Sequence, residues 1–402
     1  MAEHSEDPSL RAFRSEVREW LEANVPASIR TPMPETEIPW GGRKPEFANP
    51  ESSVWLQRMA ARGFTAPSWP RELGGAGLSL EQVAVLSSEL QRVNARPSLF
   101  SFGLWMLGPV LLEYGTKEQR LRFLPPIARG EIRWCQGYSE PGAGSDLAAL
   151  RTRAEDRGDH WLVNGQKVWT SYADKADWMF CLVRTDATVA KHRGISFLLL
   201  DMATPGVSAR PIRLISGASP FCETFFDNVR VPKEHLVGPL NGGWEIAKKL
   251  LQYERQNVSA VGFGADLSAR IEVIAKQAIG CDAKGHIADA ALRERVARCA
   301  MSEVALGLLV KQAQRAADTG QVSALTSVVK YLAAKVNQER QELAIELLGF
   351  DGLGWEGSTF EPSALRETRR WLRSKGNSIE GGTSEINLNI IAKRVLQLPD
   401  PR

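Results

Sequence analysis

The chain has no stretch approaching the ~20 consecutive apolar residues that a membrane span needs. Its longest apolar runs are of the size of "ISFLLL" at 195–200. The start, "MAEHSEDPSL", is acidic and carries no hydrophobic segment, so no signal peptide is expected. Cysteine is scarce: five residues, at 135, 181, 222, 281 and 299, with neither C-x-x-C nor metal-site spacing. Dispersed and odd in number, they fit free thiols in a reducing cytoplasm, which is the expected location. The five histidines are equally scattered, with no H-E-x-x-H, and no metal is expected. Charge of one sign is also lacking. Fifty basic residues against 47 acidic leave a net +3, spread without blocks. That excludes the clustered cationic face of a nucleic-acid binder.

What is present falls into three segments, and 402 residues allow two or three structural units. From 9 to about 131 the apolar period is helical, as at Phe13, Val17, Trp20 and Leu21, with further helical runs near 80–94 and 98–114. From about 132 to 238 short strands take over ("WMFCLVRT", "ISFLLLDM", "ARPIRL", "ETFFDNVRVP"). Asn164-Gly165 in "HWLVNGQKVWT" reads as a hairpin turn between two of them. From 241 the chain is helical again, with long periods over 290–318 and 322–348 that suggest a bundle.

Four stretches carry chemistry. "CQGYSEPGAGSDLAALRT" (135–152) offers glycine-exposed backbone N–H groups and the hydroxyls of Ser139 and Ser145, suited to a polar cofactor or phosphate. It lacks both G-x-G-x-x-G and a Gly-Lys-Ser/Thr ending, and an ordinary domain-boundary turn explains it equally well. In "KVWTSYADKADW" (167–178), Trp169 beside Thr170 and Ser171 could serve a flat heteroaromatic ring or be a core tryptophan. In "NGGWEIAKKLLQYERQNVSAVGF" (241–263), Ala247, Leu250, Leu251, Val258 and Val261 form one helical stripe, and Glu254 lies near its middle. A carboxylate there is costly to ionise unless it is paired, with Arg255 for example, or functional. Finally, "NSIEGGTSEI" (377–386) breaks at Gly381-Gly382. It places Thr383 as N-cap of a helix through Ile386, Ile390, Ile391 and Val395, with Glu385 in its first turn and Lys393 and Arg394 in its last. A helix start preceded by glycines is also an anion site.

In this order and across residues 9 to 398, these stretches resemble the acyl-CoA dehydrogenase family of flavoproteins. "GYSEPGAGSDL" and "IEGGTSEINLNIIAKRVL" are the most specific parts, supported by "VRVPKEHLVG" and "NGGW". The resemblance implies an α+β fold: an N-terminal α-helical domain (1–131), a middle antiparallel β domain (132–240) and a C-terminal four-helix-bundle domain (241–402). It implies FAD, an acyl-CoA substrate and an electron-transfer flavoprotein as acceptor. The implied reaction is α,β-dehydrogenation to the 2-enoyl-CoA, a carboxylate taking the α-proton and flavin N5 the β-hydride. By motif, Tyr138, Ser139, Gly144 and Ser145 line the flavin, and Ser145 also the thioester. Trp169 stacks near the isoalloxazine, Ser171 lies near N5, and Gly382, Thr383 and Glu385 hold the AMP end of FAD.

Many family members carry the base immediately before the Gly-Thr pair, where this chain has Gly381, with Glu380 one residue too early. The subgroup of isovaleryl- and long-chain-type and bacterial sterol-side-chain enzymes places it instead on the long helix, in a segment ending Glu-Arg. "QYER" matches, so the expected base is Glu254 with Arg255 orienting it. Glu380 and Gly381 would border the substrate, leaving room for a branched, cyclic or steroid-derived acyl group, and Trp105 or Met106 would set the pocket depth.

Two family features at the pyrophosphate are missing. "AIGCDAKGHIADAALRERVA" offers no Arg-x-x-Phe-Gly segment, and "IELLGFDG" puts Glu346 and Phe350 where Gln-x-x-Gly-Gly is usual. A homodimer or homotetramer therefore stands beside a hetero-oligomer with a related subunit, in which this chain is the FAD-binding or a non-catalytic partner. A same-fold flavin monooxygenase or oxidase is the other alternative, against which Glu254 argues.

Overall fold

The computed structural model describes residues 7–261, 270–318 and 325–399; within these, the side chains of residues 35, 254–261, 314, 315, 317 and 318 lie outside the described set. By its internal contacts the chain forms two compact units, one of residues up to 211 plus 221–253 and the other of 212–220 plus the chain from 254.

In the first unit, five α-helices among the described residues precede the sheet: α1 (Pro8–Asn24), α2 (Pro50–Ala61), α3 (Leu80–Arg92), α4 (Gly108–Tyr114) and α5 (Lys117–Ala128). Their starts follow from local chemistry. Ser79 and Thr116 each close a capping box with the glutamine three residues on, satisfying two otherwise orphaned backbone donors. Before α4, residues 103–107 form a π-turn carrying Trp105 and Met106. Gly108 is required there, because a Cβ would come within 2.0 Å of the Trp69 ring.

The strands are β1 (Trp134–Gly137), β2 (Arg153–Asp156), β3 (His160–Ser171), β4 (Trp178–Arg184), β5 (Ile195–Asp201), β6 (Val207–Ile212), β7 (Phe221–Pro232) and β8 (Leu236–Val237). They form one sheet in the order β6-β7-β3-β2-β4-β5-β8, with β1 paired to β4. Four ladders are antiparallel, as expected, but β1–β4 and β2–β4 are parallel, so the sheet is mixed. The helices and the sheet share a core: Leu107, Val110, Leu124 and Ile127 pack with Phe180, Phe197 and Leu199.

One expectation fails in this sheet. Asn164-Gly165 is not a hairpin turn but lies inside β3, where the register to β7 shifts between Val163 and Gly165. The turn preceding β3 is at Gly158 (φ +84°), closed by Arg157 N–H donating to the His160 carbonyl at 3.0 Å. Gly165, at φ +151°, is demanded by a bulge: a Cβ there would meet Thr152 at 2.6 Å.

The remaining helices are α6 (Gly243–Val261), α7 (Ile271–Ile279), α8 (Ala290–Asp318), α9 (Leu325–Leu348), α10 (Pro362–Ser374) and α11 (Ser384–Ile390). In the second unit, α9 is the central element, packed against α7, α8, α10 and α11. Its face with α7 and α8 buries Ile271, Ile274, Val296, Leu343 and Leu347. No described helix is long and apolar enough to cross a membrane.

Candidate active site

In the first unit, the chain leaving β1 makes a tight turn in which Glu140 and Ala143 exchange backbone hydrogen bonds, both 3.0 Å. Gly142 within this turn and Gly144 just after it lie on the surface, and a Cβ at either would meet nothing within 4 Å. That leaves an open backbone face beside exposed Ser145. Tyr138 is buried, its ring edge-on to Phe180 at 6.2 Å. Met106 belongs to the core cluster that contains Tyr138, and Trp105 packs against it. Met106 is buried; Trp105 is half-buried, edge-on to Phe100 at 4.4 Å.

An ion pair not anticipated from the sequence ties this loop to β3. Lys167 is fully buried, and its Nζ donates to the Glu140 carboxylate at 2.8 Å and to the Tyr138 carbonyl at 3.0 Å. Glu140 also accepts from the N–H groups of Arg151 (2.6 Å) and Thr152 (2.9 Å). Burial pushes its pKa up, but the Lys167 charge and these hydrogen bonds outweigh it, and the net shift is downward. One residue on, Val168 N–H donates to the Ser139 carbonyl at 2.9 Å. Tyr138 and Ser139 are thus tied to β3 at Lys167 and Val168, just before Trp169. The signal was present in the sequence: Lys167 shares strand parity with the buried Trp161 and Val163.

Trp169 stands in the left-handed region, φ +59°, where the β3–β7 ladder breaks between Lys167 and Thr170. Its side chain is 56 % exposed. A bulky residue held at positive φ with its ring in the open is strained, and such strain gathers at functional sites. Thr170 turns inward; its buried Oγ1 has no hydrogen-bond partner among the described residues. Ser171 is half-buried.

In the second unit, the "NSIEGGTSEI" stretch carries Gly381 at φ +63° and Gly382 at φ +89°. Thr383 caps α11, its hydroxyl accepting from Ile386 N–H at 3.2 Å. Glu385 is exposed in the first turn, its pKa lowered by its own backbone N–H and by Thr383. Glu380 is occupied: Arg373 donates to it at 2.6 Å and Asn377 at 2.7 Å. Lys330, also missed from the sequence, is 2 % exposed beneath the turn and donates to the carbonyls of Asn377 (2.9 Å) and Gly382 (2.6 Å). Glu346 is taken by a two-pronged pair with Arg295, which lowers its pKa. The expected acid Glu254 and its neighbour Arg255 fall within α6, but their side chains lie outside the described residues.

Three family models match the chain: the acyl-CoA dehydrogenase N-terminal domain over 7–131, the middle domain over 135–229 and the C-terminal domain over 241–396. An acyl-CoA dehydrogenase of Mycobacterium tuberculosis, IpdE1, is 38% identical over 399 residues, covering 97% of this chain and 98% of the relative. Among solved structures, the Tcur3481-Tcur3483 steroid ACAD superposes with a TM-score of 0.75 at 27% identity, covering 98% of this chain and 99% of that one. The ChsE4-ChsE5 complex of Mycobacterium tuberculosis gives 0.73 at 29% identity, covering both chains fully. The chain belongs to the acyl-CoA dehydrogenase family. It is an oxidoreductase with that family's α+β fold, and FAD is its cofactor. The open glycine face beside Ser145 and the exposed Trp169 ring fit a planar, phosphate-bearing cofactor.

Proposed function

We propose that this enzyme dehydrogenates an acyl-CoA thioester between Cα and Cβ, with Glu254 as the base that removes the α-proton and Arg255 orienting it. FAD supplies the two-electron acceptor. The observation that carries the base assignment is the state of the C-terminal motif. Gly381 offers no carboxylate, and its neighbour Glu380 is already bound by Arg373 and Asn377. The acid is then sought on α6, where position 254 keeps helical spacing with the wholly buried Ala247 and Leu250. A base beside a thioester works best where desolvation brings its pKa toward that of the activated α-proton.

On this reading Tyr138, Ser139, Gly144, Ser145, Trp169 and Ser171 hold the flavin end of FAD, and Gly382, Thr383 and Glu385 the AMP end. Ser145, Trp105, Met106, Glu380 and Gly381 border the acyl-CoA. The lack of a side chain at Gly381 leaves room beside the reacting carbons, which supports a branched, cyclic or steroid-derived acyl group. The domain boundaries are proposed near 131 and 240, the setting is cytoplasmic, and an electron-transfer flavoprotein is the proposed acceptor.

Assembly with a second chain of the same fold is part of the proposal. Met301, Val304 and Leu308, spaced along one face of α8, are exposed, and apolar helix faces of that kind mark interfaces. The Arg295–Glu346 pair removes a free acid from the stretch where this family contacts pyrophosphate, and so weakens the case for a dead subunit.

The base assignment is tested by exchange of the substrate's α-hydrogen with deuterated solvent. The wild-type enzyme catalyses it, and Glu254→Gln, with FAD bound as before, loses it by at least about a thousandfold, the scale of a lost general base. Exchange at the wild-type rate in that variant would sink the assignment.

A further inference from the structure

Lys330 is not accounted for by the chemistry above. It sits on α9 among Val329, Ala333 and Ala334, all buried. Burying a lysine is unfavourable unless its ammonium is satisfied, and burial indeed pulls its pKa down, with Glu380 and Glu385 opposing. Glu380 is committed to Arg373 and Asn377. The ammonium is held instead by two backbone carbonyls, those of Asn377 and Gly382, at 2.9 and 2.6 Å.

These two carbonyls bracket the Gly381–Gly382 turn. Two consecutive glycines in the left-handed region have the most backbone freedom to lose, and neither contributes side-chain packing. Their order must come from hydrogen bonds at the two ends. At one end, Asn377 is fixed by Asn337, which donates to its side-chain oxygen at 2.8 Å, and Asn377 in turn donates to Glu380. At the other, the Gly382 carbonyl accepts from the buried Asn387 at 2.8 Å as well as from Lys330. Lys330 reaches both ends. The packing of α9 on α10 has separate contacts, such as Gln338 donating to the Ser374 carbonyl at 3.0 Å.

We propose that Lys330 is a positioning residue: a buried clamp from α9 that fixes the Gly381–Gly382 turn and thereby sets Thr383 and Glu385 for the cofactor. The cofactor part rests on the reading given above; the clamp itself does not.

The test is Lys330→Met, which keeps the apolar stem and removes the donor. Backbone amide exchange is followed in the apoprotein, and FAD affinity by titration. The clamp predicts exchange across 377–387 at least about tenfold faster, with α9 and α10 unchanged, and an FAD Kd about tenfold higher or more. A merely structural role would instead lower the folded fraction and leave the FAD Kd of the remainder alone. Lys330→Gln, which keeps one neutral donor, recovers part of both effects. Equal loss of protection throughout the bundle, or wild-type exchange in 377–387, overturns the clamp. A wild-type protein that takes up no FAD would count against the cofactor reading alone, because amide exchange still decides the clamp.

Discussion

Trp169 shows how single residues divide between what a sequence reveals and what it hides. Its aromatic ring beside two hydroxyl residues suggested a site for a flat ring. Its backbone at φ +59° was not legible, because nothing in "KVWTS" marks a bulge. A tryptophan in this conformation costs about 1–3 kcal/mol, so Trp169→Gly should leave the apoprotein within about 1 kcal/mol of wild type while raising the FAD Kd roughly tenfold. Thermal melting of the apoprotein and FAD titration check this together; unchanged affinity would remove Trp169 from the cofactor site. The partners of the two buried lysines were hidden for another reason. Each lysine sits at a position whose period is apolar, and only the fold provides Glu140 for Lys167 and the two carbonyls for Lys330.

At the scale of elements, helix periodicity located α1, α3, α8 and α9 well, since each has a sustained apolar face. Strand pairing was less accessible. Asn164-Gly165 carries the residues of a hairpin turn, yet tertiary packing against Thr152 makes Gly165 a bulge in a continuous strand. Charge contacts between elements could not be read at all. Glu89 on α3 is buried, and Arg14 and Arg18 of α1, with Arg92 of α3, donate to it. Led by the Arg18 hydrogen bond, and against burial, these contacts lower its pKa to about 2. The unfolded value is ~4.3, so this group's contribution is fully present above that pH and is lost as pH falls toward about 2. Glu89→Gln should therefore cost roughly 3–5 kcal/mol at neutral pH and much less near pH 2. Urea midpoints across that range measure it; a cost independent of pH would contradict the α1–α3 cluster.

At the scale of the whole molecule, the order helical, sheet, helical was legible because each segment keeps its own period. The division into two compact units was not, because the helices before β1 and the sheet share one core. The central claim, an acyl-CoA dehydrogenase whose base is Glu254, is tested most directly by anaerobic visible spectra of the FAD-loaded protein as acyl-CoA thioesters are added. The account predicts that a branched, cyclic or steroid-derived thioester bleaches the flavin of the wild-type enzyme, while Glu254→Gln binds the same thioester and stays oxidised. Bleaching at the wild-type rate in Glu254→Gln would contradict it, and so would a wild-type flavin that no acyl-CoA reduces.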